Sequence, residues 1–239
     1  MAEIFDHAID PKQYDLGKIK WEQETADSPI RKFFFLEYIS QLKDVYVGKS
    51  VLDIGCGTRW LLPKIHGFGA KEVEGLEPSK INVDACKKVA PGYKVYDGDF
   101  LSFELEKKYD VIVGVMVLIH IGDVNEAFSK VKSLLNEKGE LHIIVPDYGY
   151  FRRERNDYKV DFEDINSDEY STMIHRPIGA FADIVRRSSV YEKIGKETGI
   201  ELISDILMYP TTELISALPK YKEFEKVVMM HLLRFKKTN

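Results

Sequence analysis

Two glycines and two acidic residues form the part of this sequence best suited to bind a small molecule. Residues 51–60, VLDIGCGTRW, predict a buried strand that carries Asp53. The chain then turns sharply through Gly55 and Gly57, and because glycine lacks a Cβ atom the backbone there can approach a ligand closely. Glu77 follows Gly57 by twenty residues, and a carboxylate at such a strand tip can accept hydrogen bonds from both hydroxyls of a ribose. The spacing therefore predicts a ribose-containing ligand over the turn.

The glycine pattern argues against a dinucleotide. The dinucleotide fingerprint is GxGxxG, whereas this chain has GCGTRW, with Trp60 where the third glycine would stand. That glycine allows a helix to pack closely at a pyrophosphate site. Its absence disfavours a nicotinamide oxidoreductase and favours an adenosine cofactor without a pyrophosphate.

Alternating strands and helices must position these residues. Short apolar runs, each closed by Gly, Pro or Asp, are separated by amphipathic stretches from Ser50 to Pro146, a pattern that predicts a parallel sheet with covering helices. The five predicted strands are residues 50–54, 72–77, 93–97, 110–115 and 140–145.

Two connecting stretches are predicted to be helices. In the first, Ile81, Ala85 and Val89 recur at helical spacing. The second runs from an N-cap at Asp123 to a terminator at Gly139. Its apolar face comprises Val124, Ala127, Phe128, Val131, Leu134 and Leu135.

The rest of the chain extends this core. A helix over about 188–198, capped by Gly199, and two further strands bring the predicted sheet to seven strands. Residues 1–46 predict an N-terminal helical cap. Residues 147–183 are polar, rich in aromatics and too long for an ordinary loop, which predicts an inserted substrate lid. We expect a single domain over 1–239.

The motifs and their order resemble those of the class I S-adenosylmethionine (SAM)-dependent methyltransferases, particularly the small-molecule group, from about Ser50 to the end of the chain. The resemblance implies a Rossmann-like α/β fold with a seven-stranded, mostly parallel sheet and helices on both faces. The segment HLLRFKK resembles the family's antiparallel last strand, which lies beside the fifth. SAM is the cofactor that the resemblance implies.

The first motif of that family resembles DIGCG in this chain. The resemblance implies that Asp53, Gly55, Cys56 and Gly57 lie near the methionine portion of SAM. The family often has a third glycine where this chain has Arg59, whose side chain we expect to point to solvent.

The next two motifs resemble GLEPS and DGDF. The first implies that Glu77 binds the ribose, with Pro78 and Ser79 beside the adenine. The second implies that Asp99 accepts a hydrogen bond from the adenine amino group and that Phe100 packs on the ring. The alternative roles of Asp99 and Phe100 are a loop cap and a core residue.

The segment YDVIVGVMVLIHIGD resembles the fourth-strand motif, which implies that Val115 and Met116 meet the cofactor. His120 follows this strand end and is the candidate catalytic residue, as a general base; its alternative role is to hold the loop by a hydrogen bond. Methyl transfer needs mainly alignment of the acceptor, so we expect neither a catalytic triad nor a metal.

Other polar groups are candidates for contacts around the reaction. Trp21 and Arg31 are candidate caps over the cofactor, and His175 and Arg176 are candidate acceptor contacts. An aromatic and basic patch that could attract an anionic acceptor comprises Tyr148, Tyr150, Phe151, Arg152, Arg153 and Arg155. For each, the alternative is an ordinary packing or solvated residue.

Composition restricts partners and location. The 239 residues carry a net charge of -5 without a basic run, which disfavours nucleic acid. The absence of a long apolar stretch predicts no membrane span, and the charged N-terminus predicts no signal peptide. Only Cys56 and Cys86 are present, without metal-ligand spacing, which suits a cytoplasmic protein.

The sequence leaves several functions open. The leading interpretation is methyl transfer from SAM to a small molecule, at an O, N or C atom that the sequence does not specify. The alternatives are a noncatalytic SAM-binding module and a methyltransferase that acts on a protein. Nucleic-acid methylation is disfavoured because GVMVLIH lacks the Pro-Pro-aromatic motif of the resembling amino-methylating enzymes. The oligomeric state is left open.

Overall fold

The structure is a computed structural model that describes residues 28–89, 91–153, 159–176 and 179–238. The strands in these ranges are β1 (Ser50–Ile54), β2 (Glu72–Glu77), β3 (Lys94–Asp97), β4 (Tyr109–Val115), β5 (Leu135–Pro146), β6 (Val160–Asp164), β7 (Glu169–Arg176), β8 (Gly179–Arg186), β9 (Ile200–Met208) and β10 (Met230–Lys237). The helices are α1 (Leu36–Ser40), α2 (Lys43–Tyr46), α3 (Leu62–Gly67), α4 (Lys80–Val89), α5 (Val124–Leu134), α6 (Tyr148–Phe151), α7 (Ser188–Thr198) and α8 (Thr212–Ala217). A π-helical turn, Arg31–Phe35, leads into α1, and 3₁₀ turns span Leu118–His120 and Pro219–Phe224.

Seven strands form the central sheet in the order β3-β2-β1-β4-β5-β10-β9. Strands β1 to β5 pair in parallel, and β10 runs antiparallel between β5 and β9. This order confirms the predicted seven-stranded, mostly parallel sheet and its antiparallel last strand beside β5. The first two predicted strands match their observed bounds residue for residue.

The apolar runs of the strands serve two cores, one on each face of the sheet. Because side chains alternate along a strand, Val51 joins the core that packs against the N-terminal helices, and Leu52 joins the one under α5 and α7. Ile144 and Ile143 of β5 divide in the same way. Burial on both faces explains why these strands are continuously apolar in the sequence.

Helix α5 agrees with the sequence at its start and differs at its end. The Asp123 side chain accepts a hydrogen bond from Glu126 N at 2.9 Å, which confirms the N-cap. The predicted terminator, Gly139, is wrong, because the helix ends at Leu134 and Gly139 lies within β5. A Cβ atom at Gly139 would lie 3.2 Å from the backbone oxygen of Asp110, so the glycine permits close approach of two strands.

Helix α4 is present as predicted, but its buried face is offset from the predicted one. Ile81 and Ala85 are half-buried, whereas Asn82, Val83 and Cys86 are buried. The offset brings the polar Asn82 toward the carboxyl end of β2, as described below. Helix α7 ends at Thr198 with Gly199 in the left-handed region at φ 78°, as predicted.

The predicted insertion forms a second, antiparallel sheet in the order β6-β7-β8. It extends to Arg186, three residues beyond the predicted boundary of 183. Strand β8 packs against the turn Leu118–His120, next to the end of β4.

The described part of the N-terminal cap begins a helix at Pro29, with Arg31 N and Lys32 N hydrogen-bonded to Ser28 O at 2.9 and 3.1 Å. Residues 1–27 of the predicted cap, including Trp21, lie outside the described residues. Among the described helices, none has the length and apolar character that crossing a bilayer requires.

Candidate active site

A cleft opens at the carboxyl ends of β1, β2 and β4, where open parallel sheets bind ligands. Its lining residues are Arg31, Gly55, Gly57, Leu76, Glu77, Pro78, Asn82, Asp99, Phe100, Val115, Met116, Val117, His120 and Ile121. Ten of the residues singled out from the sequence for the cofactor or for catalysis are among them: Arg31, Gly55, Gly57, Glu77, Pro78, Asp99, Phe100, Val115, Met116 and His120. The strand-order reversal at β1 and β4 thus gathers residues that are far apart in the sequence.

The glycine turn after β1 requires its glycines. Gly55 and Gly57 have φ values of 62° and 53°, in the left-handed region that side chains disfavour. A Cβ atom at Gly55 would lie 2.6 Å from Val117 Cγ2, whereas one at Gly57 would meet no described atom within 4 Å. Gly55 is therefore required by packing as well as by φ, and Gly57 leaves the turn open toward the cleft.

Arg59 also has a left-handed backbone, at φ 62°. A glycine would adopt this conformation without strain, so the structure explains why the resembling family often has one there. The expectation that Arg59 points to solvent is wrong, because the residue is only 2% exposed. A hydrogen bond with Cys56 and the positive charge of Arg59 lower the pKa of the Cys86 thiol.

Glu77 is fixed by three hydrogen bonds. Gly57 N donates to Oε2 at 2.8 Å, and Ser79 N and Asn82 Nδ2 donate to Oε1 at 3.0 and 3.1 Å. Burial raises the pKa of this carboxyl despite the donors. Glu77 therefore locks the glycine turn to the end of β2 while it faces the cleft.

Asn82 was not predicted from the sequence, although it stands five residues after Glu77 on the first turn of α4. A buried amide within reach of a carboxylate is the signal that could have identified it. Ser79, by contrast, does not line the cleft; its Oγ accepts from Asn82 N at 3.3 Å, as a cap at the start of α4.

Asp53 and Cys56 lie beneath the turn, not in the cleft lining. They are 2% and 3% exposed. Burial, and then the nearby charge of Glu77, raise the pKa of Asp53 well above its usual value. The positive charge of Arg31, which lines the cleft, opposes this shift.

Arg31 brings the N-terminal cap to the cleft. Its Nη1 donates to Thr58 Oγ1 at 3.0 Å, and its guanidinium lies 5.7 Å from the ring centre of Trp60. Burial lowers the pKa of Arg31 to about 10, against the attraction of Asp53. The Trp that replaces the third glycine of a dinucleotide fingerprint therefore lies beside a half-buried cation next to the glycine turn.

The loop after β4 forms a wall of the cleft, in addition to the glycine turn and the end of β2. Met116 has φ 60°, rare for a residue with a side chain, and its N–H donates to Ile144 O at 2.9 Å. Strained backbone of this kind is common at binding sites. It turns the chain so that Val115 and Met116 both line the cleft.

Asp99 and Phe100 form the fourth wall. Asp99 Oδ1 accepts from Leu101 N at 3.0 Å and from Ser102 N at 3.2 Å, so this carboxylate also caps a turn. Phe100 is 4% exposed and belongs to the core as well as to the lining. Each of these residues therefore combines the structural role considered from sequence with a place at the cleft.

His120 lies in the lining with 19% of its side chain exposed, and its Nδ1 is 2.9 Å from Oδ1 of Asp183 on β8. Asp183 was not predicted from sequence, because the two residues are 63 positions apart and only the second sheet brings them together.

The other acceptor-contact candidates lie elsewhere. His175 Nε2 is 2.7 Å from Asp161 Oδ2, in an exposed pair away from the cleft lining. Arg152 forms an ion pair with Asp164 at 2.6 Å, and Arg153 lies over the ring of Phe224. The structure does not describe the side chain of Arg176 or any part of Arg155. Within the described ranges, His, Cys, Asp and Glu form no cluster of three or more that could hold a metal ion.

Comparison with known proteins gives the family. The sequence profile of a family described as "Methyltransferase domain" matches residues 30–176, more than half of the chain. The chain belongs to this family of methyltransferase domains.

Relatives and solved structures agree with this assignment. An uncharacterized methyltransferase from Bacillus thuringiensis is 37% identical over 116 residues, which are 46% of this chain and 54% of the relative. The chain thus spans about half the length of the curated relatives it matches. An S-adenosylmethionine-dependent methyltransferase from Mesorhizobium loti has a TM-score of 0.66 at 18% identity, over 84% of this chain and 98% of that one. The glycopeptide N-methyltransferase MtfA, solved with SAM, has a TM-score of 0.62 at 14% identity, over 86% and 94%. The overall fold is that of these enzymes.

Proposed function

We propose that this protein binds SAM in the cleft and transfers its methyl group to a small-molecule acceptor. One hydrogen bond carries the proposal: Gly57 N in the glycine turn donates to Glu77 Oε2 at 2.8 Å, and both residues line the cleft. The carboxylate expected to bind a ribose therefore lies directly beside the turn. Family membership supports the same activity.

The lining residues fit the parts of SAM. The open space beside Gly57 leaves room for the methionine portion, and the partly satisfied carboxylate of Glu77 suits the ribose hydroxyls. Pro78 and Phe100 offer apolar surface to the adenine, and the Asp99 carboxylate suits its amino group. Val115 and Met116 flank the remaining side, beside Gly55.

Bound SAM supplies a methyl group on a sulfonium, which is an excellent leaving group. The protein's own part is to hold the acceptor in line with that group and to exclude water, which can lower the barrier by about 7 to 11 kcal/mol. The cap contributes Arg31 to the lining, and β8 packs against the turn Leu118–His120, which contributes His120. We infer that 1–239 is one domain in which the N-terminal cap and β8 flank the acceptor.

Charge and shape support a small-molecule acceptor. A net charge of -5 without a basic run favours a small molecule over nucleic acid, and the cleft lies within the domain, unlike a broad protein-docking face. Cytoplasmic location belongs to the same proposal and is supported by the two buried, free cysteines.

Isothermal titration with S-adenosylhomocysteine tests the cofactor. We expect binding in the micromolar range and no heat with NAD or ATP. Folded protein that binds NAD but not S-adenosylhomocysteine would overturn the proposal. A screen of small acceptors and of protein extract with labelled SAM then distinguishes a small-molecule enzyme from a protein methyltransferase, and the absence of any transfer would favour a noncatalytic SAM-binding module.

A further inference from the structure

The second sheet supplies a carboxylate to His120, the one histidine among the described residues that line the cleft. Asp183 is 4% exposed, and its Oδ1 lies 2.9 Å from His120 Nδ1. Within the described ranges, this oxygen has no hydrogen bond of good geometry to any group, His120 included. A buried carboxylate oxygen costs free energy unless a donor satisfies it. His120 Nδ1 lies within hydrogen-bonding distance of this oxygen, so its N–H can satisfy the carboxylate once the ring is suitably oriented.

A buried arginine fixes the loop that carries this histidine. Arg186 Nη1 donates to Leu118 O at 3.0 Å, and Nη2 donates to Ile121 O at 3.0 Å and to Gly122 O at 2.9 Å. Its Nε donates to Glu169 on the neighbouring strand, also at 3.0 Å. Arg186 and Asp183 both lie on β8, so one strand holds the loop and aims the imidazole.

The Asp183 carboxylate selects the form of the imidazole. In neutral histidine one ring nitrogen is a donor and the other an acceptor, and the hydrogen bond of one decides the state of the other. A carboxylate at Nδ1 keeps the proton on Nδ1 and makes Nε2 the basic nitrogen. The same arrangement orients the histidine of serine-protease triads.

We propose that His120 is a general base for a small-molecule acceptor that reacts through a hydroxyl group, and that Asp183 is the residue that positions it. This role rests on the proposed methyl transfer. As the acceptor oxygen bonds to the methyl carbon, the carbon–sulfur bond breaks and its electron pair leaves with S-adenosylhomocysteine. The hydroxyl proton passes to Nε2 of His120. A neutral amine needs no base before it attacks, so the pair favours a hydroxyl acceptor over an amine.

The tautomer of His120 tests the role of Asp183 without any acceptor. We would label the histidines of the full chain with ¹⁵N and record long-range ¹H–¹⁵N correlations with S-adenosylhomocysteine present and absent. We expect the proton on Nδ1 in the wild type and on Nε2 in Asp183→Asn, because the amide can donate to Nδ1. A wild-type proton on Nε2 would overturn the proposal.

Turnover tests the role of His120. With labelled SAM and a panel of small phenols and alcohols, we expect Asp183→Asn and His120→Ala to lower kcat by about 10²- to 10⁴-fold. The KM for SAM should stay within about twofold, and free imidazole should restore part of the His120→Ala activity. Unchanged kcat in His120→Ala, or transfer to amines and not to hydroxyls, would overturn the proposal.

Asp161→Asn is the matched control. It makes the same change in the same sheet, at the His175–Asp161 pair that lies outside the cleft lining, and should leave kcat unchanged. Titration of every variant with S-adenosylhomocysteine separates the two levels of the argument. Loss of binding in the wild type would refute the proposed function, whereas normal binding with an unchanged tautomer would refute the role of Asp183 alone.

Discussion

Glu77 shows how much one side chain contributes at this site. It accepts three hydrogen bonds from the protein and still faces the cleft, so it holds the glycine turn in place and offers a carboxylate to a ligand. A substitution there therefore affects the ligand contact and the shape of the turn together.

We expect Glu77→Gln to weaken binding of S-adenosylhomocysteine by about 1 to 3 kcal/mol, because a charged hydrogen bond to the ribose is lost. Isothermal titration measures the change, and circular dichroism checks the fold. Glu72→Gln is the control, since Glu72 lies at the exposed start of the same strand. Equal affinity of both variants and the wild type would refute the assignment of Glu77 to the ribose.

We expect Gly55→Val to abolish the same binding. The new side chain would collide with Val117 and force a β-branched residue into the left-handed region. The chain offers a matched variant in Gly92→Val, because a Cβ atom at Gly92 meets no described atom within 4 Å. Binding by a folded Gly55→Val protein would contradict the site.

The sequence predicts the site residues that stand at the ends of strands. It does not predict those that reach the site only through tertiary packing. Gly55, Gly57 and Glu77 stand at the ends of predictable strands, so their convergence follows from parallel topology. Asp183 belongs to a separate sheet, whose packing against the loop after β4 no local pattern specifies.

The strands are also joined by buried polar contacts. Tyr46 at the end of α2 contacts His142 Nδ1 of β5 at 2.9 Å, and His142 Nε2 contacts Glu140 Oε2, also at 2.9 Å. The Glu140 carboxylate accepts a hydrogen bond from the N–H at Nε2. Nδ1 is therefore the acceptor, and the Tyr46 hydroxyl donates to it. This chain of hydrogen bonds fixes the N-terminal cap to the sheet.

We expect Tyr46→Phe to lower the free energy of unfolding by about 1 to 3 kcal/mol, because it leaves a buried ring nitrogen unsatisfied. Urea denaturation measures the loss. Tyr93→Phe removes a similar contact to His66 Nδ1 at an exposed position and should cost less than about 0.5 kcal/mol. Equal losses would show that burial of the pair is unimportant.

His231 on β10 contacts carboxylates on β9 and just after β5. Its Nδ1 is 2.8 Å from Asp205 of β9, and its Nε2 is 3.3 Å from Asp147, just after β5. Burial disfavours the charged ring, but hydrogen bonds to Asp147 and Asp205 outweigh it and raise the pKa to about 9 from the usual 6.5. The charged form is therefore bound more tightly in the folded state.

A raised pKa gives stability that is fully present below pH 6.5 and lost as the pH rises through about 9. We expect the stability advantage of the wild type over His231→Gln to fall by about 1 to 2 kcal/mol between pH 6 and 9.5, after allowance for solvent screening. Urea denaturation at a series of pH values measures it. A constant difference across this range would contradict the role of the charged ring.

At the element scale, burial on both faces made β1 and β2 predictable to the residue. Helix α5 was predicted to extend too far because Leu135 to Gly139 carry no strong helix breaker before the glycine, and β5 begins at Leu135 through its pairing with Tyr109 of β4. The second sheet was predicted only as an insertion, since its short strands lack clear alternation of apolar and polar residues.

At the scale of the whole molecule, the central sheet separates two cores, and the candidate ligand site lies at the carboxyl ends of its parallel strands. A ligand that binds only the folded protein stabilises it by about 2.7 kcal/mol at 100 times its dissociation constant. We expect saturating S-adenosylhomocysteine to raise the Tm by about 5 to 11 °C for a chain of this size. Differential scanning fluorimetry measures the shift, and an equal shift with NAD would contradict a site specific for SAM.

Under the proposed role of His120, the attachment of β8 to the loop after β4 makes reactivity depend on the second sheet. In many enzymes a covering segment can be exchanged to alter what enters the pocket while the chemistry stays with the scaffold. Here Arg186 and Asp183 belong to the sheet β6-β7-β8, whereas the loop and the imidazole that they contact follow β4 of the central sheet. Replacement of this sheet would therefore remove both contacts. A chimera in which another sheet replaces β6-β7-β8 would need a cation in place of Arg186 for the loop carbonyls. It would also need a carboxylate in place of Asp183 beside His120.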